Sequence, residues 1–111
     1  MTDPILVMSR RLAIRILHEA QIAQPESITG VVVAQKGEPS DFYLGSELPA
    51  GQTLWAHCWS HPLAPAVPTA AELTAGGLHL VISLNTKGVL EMRSWELRDG
   101  QPYEREIKIR D

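Results

Sequence analysis

Trp59-Ser60-His61-Pro62-Leu63-Ala64-Pro65-Ala66-Val67-Pro68-Thr69-Ala70-Ala71-Glu72 joins a strand end, a proline-paced loop and a helix start in one segment. Pro62, Pro65 and Pro68 recur at every third position among small, apolar residues. Each removes a backbone donor and fixes φ, so this part is neither helix nor central strand, and an ordered, extended loop is expected. Before it, Leu54 to Ser60 reads as an aromatic-rich strand, with Trp55, His57, Trp59 and His61 on one face and Cys58 on the other. After it, Thr69-Ala70-Ala71-Glu72 has capping-box spacing, which starts a short helix that Gly76-Gly77 ends.

Working outward, Ile5 to Met8 reads as a short strand. Ser9 is a good N-cap for a helix from Arg10 to Ala23, in which Leu12, Ala13, Ile16, Leu17, Ala20 and Ala23 form the apolar stripe. Pro25 stops that helix. Ile28 to Gln35 holds the β-branched run Val31-Val32-Val33, the pattern of a strand buried on both faces. Lys36-Gly37-Glu38-Pro39 turns the chain into a short strand over Asp41 to Leu44, and Ser46 to Gln52 is loop. Leu78 to Leu84 is a buried strand. Asn85-Thr86-Lys87-Gly88 turns into a strand over Val89 to Leu97, and Asp99-Gly100 marks a hairpin. The last strand alternates, with Tyr103, Arg105, Ile107 and Ile109 on one face and Glu104, Glu106, Lys108 and Arg110 on the other. The expected fold class is α/β, a mixed, largely antiparallel sheet with two helices.

The segment from Trp59 to Glu72 resembles the signature of the JAMM (MPN-type) zinc metallopeptidases, of bacterial type. That signature reads His-Ser/Thr-His-Pro, a loop, then Ser-x-x-Asp, with a catalytic Glu well upstream. Here seven residues, Pro62 to Pro68, separate His61 from Thr69, which is the family spacing. The order of helix, Pro25 to Val33, motif and Leu78 to Ile109 also follows the family, so the resemblance implies an MPN-type, cytidine-deaminase-like fold over nearly the whole chain.

Against that signature the zinc motif is degenerate. Zinc catalysis needs three protein ligands and an open position where bound water is activated. The second histidine is kept as His61, but the first is Trp59, whose indole offers only an N–H donor and cannot ligate a metal. Glu72 stands at the Asp ligand, the same chemistry one methylene longer. Thr69 stands at the oxyanion-stabilising Ser. Counting back from Gly30, the catalytic Glu position is Ser27, which cannot take a proton from zinc-bound water, and Glu26 beside it reaches the site only through a one-residue slip.

The other histidines do not repair the set. His57 and His61 are separated by ~13 Å of strand, against zinc–nitrogen bonds of ~2.1 Å. His79 reads as a packed histidine inside a buried strand and His18 as a solvated one. Thr69 and Glu72 are equally well explained as a capping box that needs no metal. Trp55 and Trp59 read as core or partner surface, Cys58 as buried and inert, and Glu104-Arg105-Glu106 as a solvated strand.

A chain of 111 residues is expected to fold as one domain, 1–111. Its net charge of −3 lacks the footprint of a nucleic-acid binder. No apolar run is long enough for a membrane span, Met1 to Ile5 does not read as a signal peptide, and a lone cysteine points to the reducing cytoplasm. Two readings follow. The first is a metal-free, catalytically inactive or impaired domain that binds protein partners through Leu63, Val67 and Trp59, a homodimer being one arrangement, with no cofactor expected. The second is a divergent zinc metallopeptidase, an isopeptidase that the resemblance would direct to the C-terminus of a ubiquitin-like or sulfur-carrier protein.

Overall fold

The computed structural model of the chain describes residues 3–45, 47–61, 65–84 and 90–111. Expectations for Leu63 and for the turn Asn85 to Gly88 fall outside these residues. The elements run β1 (Leu6–Ser9), α1 (Arg10–Ile22), β2 (Thr29–Gln35), β3 (Glu38–Leu44), β4 (Thr53–His61), a 3-10 turn (Ala71–Leu73), β5 (His79–Leu84), β6 (Leu90–Arg98), β7 (Gln101–Arg105) and β8 (Ile107–Arg110). Six strands form one sheet in the order β3-β2-β4-β5-β6-β7, and β1 and β8 form a separate two-stranded sheet. Within the large sheet β4–β5 is parallel and the other four pairings are antiparallel. The expected mixed, largely antiparallel α/β architecture is therefore the observed one, with a correction. The element after Thr69 is a 3-10 turn, not a second α-helix, because Gly76 and Gly77 take positive φ only three residues after Leu73 and leave no room for a further turn.

The helix forms where its cap places it. Ser9 is extended, with φ −67° and ψ 148°, and its Oγ accepts the Leu12 N–H at 3.2 Å. Leu12, Ala13, Ile16 and Ala20 are buried against one sheet face, in a cluster with Val32, Phe42, Ala56, Cys58, Leu80 and Ile82. Apolar burial of this kind contributes ~25 cal/mol per Å² and supplies most of a helix's stability in a protein. On the opposite sheet face a smaller cluster of Ala66, Leu73, Val81 and Trp95 forms, with Trp59 packed against it. The proline-paced segment is tied to this second cluster, because Ala66 is fully buried and its carbonyl accepts the Trp95 indole N–H at 3.0 Å.

Four other expectations need correction. β3 begins at Glu38 rather than Asp41, because Lys36 and Gly37 make a two-residue hairpin with both φ positive and Pro39 is tolerated on an edge strand. At this edge Arg15 donates to the Phe42 carbonyl at 2.8 Å while Asp41 accepts the Phe42 N–H at 2.8 Å. The terminal strand is two strands, split at Glu106: β7 pairs antiparallel with β6, and β8 crosses to pair parallel with β1. Arg105 is not solvated. Its side chain is 13% exposed, donating to the Pro4 carbonyl and pairing with Glu96, so it fastens the start of the chain to the sheet. Finally, a register shift between Val32 and Val33 puts an extra residue into β4, and Trp55 packs with the helix-side cluster instead of sharing Trp59's side.

Antiparallel pairing sets the end of β4 beside the start of β2. Ser60 donates to the Ile28 carbonyl at 3.1 Å, and its hydroxyl accepts the Ile28 N–H at 2.8 Å. Gly30, two residues further, is required by close packing. A Cβ there would lie 2.4 Å from Phe42 Cε1 and 2.8 Å from the Tyr43 carbonyl oxygen. This junction forms one wall of the cleft described next.

Candidate functional site: a cleft at the end of β4

Ser27, Ile28, Thr29, Trp59, Ser60, His61 and Glu72 line a cleft of about 440 Å³. Four residues singled out in the sequence, Ser27, Trp59, His61 and Glu72, thus come together from three parts of the chain. Strand alternation sends Trp59 and His61 to the same side, where their rings meet edge to face, with centroids 4.8 Å apart and planes at 88°. Glu72 reaches in from the 3-10 turn. Its Oε2 lies 3.5 Å from His61 Nε2. Its Oε1 accepts the Thr69 N–H at 2.9 Å and the Thr69 hydroxyl at 3.2 Å, while the Glu72 N–H is 3.3 Å from Thr69 Oγ1. The capping box is formed, and it holds Thr69 through Glu72 rather than aiming its hydroxyl into the cleft. Glu26 is exposed and is not among the lining residues; Ser27 is. Val67 is 47% exposed and lies outside the lining.

One partner was not legible in the sequence. The Trp59 indole N–H is directed at His79 Nδ1, at 3.5 Å. Parallel register pairs Trp59 with Val81 and His57 with His79, so His79 is the diagonal neighbour of Trp59 on the same face. His79 is 2% exposed and stacks on His57 with ring centroids 5.0 Å apart. Burial pushes its pKa below the usual imidazole value, His57 adds to this, and the Gly76 backbone acts the other way. Cys58, on the helix side, is fully buried, and desolvation pushes its thiol up to about 12, so it is not a nucleophile. His18 is exposed, as expected.

No family model matches the sequence. No curated protein matches it either. Solved structures do match. Protein DSY2949 from Desulfitobacterium hafniense superimposes with a TM-score of 0.76 at 17% identity, over 96% of this chain and 94% of that one. AF2198, a JAB1/MPN domain protein from Archaeoglobus fulgidus, gives 0.68 at 21% identity over 93% and 98%. A structure described as a JAMM metalloprotease-like zinc site in the proteasome and signalosome gives 0.67 at 20% identity over 96% and 99%. The chain has a JAMM/MPN-type fold.

In this JAMM/MPN-like domain the donor set does not fit a catalytic zinc. Such a site needs three protein donors around an open position. His61 and Glu72 provide two. The neighbouring side chain on the same strand face is an indole, whose only polar hydrogen is directed at His79. Among the described residues no three His, Cys, Asp or Glu side chains are grouped to hold a metal ion. No described helix is long and apolar enough to cross a membrane.

Proposed function

We propose that this JAMM/MPN-type domain acts by binding a protein partner and has lost zinc peptidase chemistry. The observation that carries the reading is Trp59. It stands where the resemblance puts a histidine ligand, its N–H faces His79, and its ring packs on His61. Metal cannot replace it without moving a side chain packed against Leu73, Val81 and Trp95. Ser27 lines the cleft in place of the general base, and a serine hydroxyl does not hold a proton as a carboxylate does. The cleft and the exposed Val67 are the surfaces this reading offers for contact. On this reading residues 1–111 work as one domain in the reducing cytoplasm, where Cys58 remains a thiol.

The test is metal content and its restoration. Protein purified without chelator is expected to carry no stoichiometric zinc. Trp59→His supplies the missing imidazole and is expected to gain zinc; Trp59→His with Ser27→Glu is the minimal change for turnover. About one zinc per wild-type chain, lost in His61→Ala, overturns the proposal in favour of a divergent zinc isopeptidase acting on a ubiquitin-like or sulfur-carrier C-terminus.

A further inference from the structure

We propose that the cleft between Trp59 and Glu72 binds an organic cation, the guanidinium or ammonium of an arginine or lysine side chain presented by the partner protein. This rests on the reading of the cleft as a protein-binding site and names the chemistry it selects. Among the described residues that line the cleft, Glu72 is the only acidic one and none is Lys or Arg. Among the described residues its only ion-pair contact is His61. That contact, at 3.5 Å, is longer than a normal hydrogen bond, so Oε2 keeps capacity to accept. Oε1 is held by two donors from Thr69, which fixes the carboxylate before any ligand arrives. A pre-oriented acceptor loses little freedom on binding.

The rest of the lining favours the same ligand. Trp59 and His61 meet at right angles and form an aromatic corner beside the carboxylate. Tryptophan is the best cation–π partner among side chains, and a carboxylate adds a charge-assisted hydrogen bond. Ser27 and Thr29 also line the cleft, Thr29 as the cross-strand partner of Trp59, and a hydroxyl can accept from further N–H groups. A volume of about 440 Å³ leaves room for a long side chain to enter. Among the described lining residues, an anionic ligand would meet Glu72 with no Lys or Arg to offset the repulsion.

The indole N–H signal of Trp59, assigned by its loss in Trp59→Phe, reports on the site by NMR. At about pH 8, where an unperturbed imidazole is neutral, the intact protein is titrated with the Nα-acetyl methylamides of arginine, lysine and citrulline. Arginine or lysine, or both, is expected to shift the signal saturably, and the two arms show which headgroup is preferred. Citrulline, neutral and nearly isosteric with arginine, is expected to bind at least tenfold more weakly. Glu72→Gln keeps the capping box, because glutamine caps as glutamate does, and is expected to lose at least tenfold in affinity with its amide spectrum otherwise unchanged. The proposal is overturned by no saturable shift with either cation, by equal binding of citrulline, or by undiminished binding in Glu72→Gln. A parallel zinc titration separates the two failures: a stoichiometric zinc response defeats the protein-binding reading itself, whereas silence to both zinc and cations defeats only the ligand assignment.

Discussion

Replacing Gly30 with alanine puts a methyl group where the sheet has no space. The new Cβ would sit 2.4 Å and 2.6 Å from two ring carbons of Phe42 and 2.8 Å from the Tyr43 carbonyl oxygen. Phe42 is 1% exposed, and Tyr43 is held in register opposite Val31, so neither yields without disturbing the β2–β3 ladder. Overpacking of a filled core costs ~1–3 kcal/mol, and a clash with both ring and backbone belongs near the top of that range. Alanine restricts the unfolded chain and returns ~0.4–1 kcal/mol. The net expectation is a loss of about 2 kcal/mol. For 111 residues the unfolding entropy is about 0.23 kcal/mol per kelvin, so Tm should fall by about 9 °C. Urea unfolding followed by tryptophan fluorescence measures it. Phe42→Leu in the same background makes room and should recover part of the loss, a favourable coupling in a double-mutant cycle. A loss below ~0.5 kcal/mol, or strict additivity of the two changes, would refute the close approach.

Three further expectations are open to direct measurement. Val67→Asp changes a residue that is 47% exposed, so thermal stability should stay within ~0.5 kcal/mol while association with a partner or a second copy weakens; unfolding of the variant would make this residue core. Arg15→Ala removes the side chain that covers the Phe42 carbonyl on the outer edge of β3; it should cost under ~1 kcal/mol yet raise self-association in sedimentation, and an unchanged monomer would show that the edge is protected by other means. The folded-state pKa of His79 lies below its ordinary value of 6.5, so the unfolded chain binds the extra proton first. The stability this histidine contributes is complete above 6.5 and is lost as pH falls through its lower folded value. Denaturant midpoints should drop across that window in the wild type and less in His79→Phe; identical pH profiles would count against the burial described for it.

Much of the chain's local grammar was readable. Ser9 capped the helix, Asp99-Gly100 took the two positive φ values of a tight hairpin, and Thr69 met Glu72 in a reciprocal cap. Each of these is decided within a few residues, so the sequence window contains the cause. The features that escaped are decided between distant segments. Alternation from Tyr103 to Ile109 continues unbroken across Glu106, and a period of two does not say which neighbour a strand will pair with. The Trp55 bulge depends on registry with β2, and the Trp59–His79 contact on a parallel register joining residues twenty apart. At the site, Ser27, Trp59, His61 and Glu72 were singled out through the family resemblance, whereas Ile28, Thr29 and Ser60 were not, and the partner that fixes the tryptophan required the sheet order.

The small β1–β8 pairing has a mechanical consequence. The two strands run in the same direction, with Leu6 opposite Ile107 and Ser9 opposite Arg110. Tension applied between residues 3 and 111 therefore slides one strand lengthwise along the other and loads their bonds together, in shear, instead of peeling them apart in turn. The Asp3–Arg98 and Arg10–Asp111 ion pairs lie across the same path. Rupture under force follows the barrier to unfolding rather than the equilibrium stability. A four-residue parallel pair thus makes this fold resist tension between residues 3 and 111 in shear.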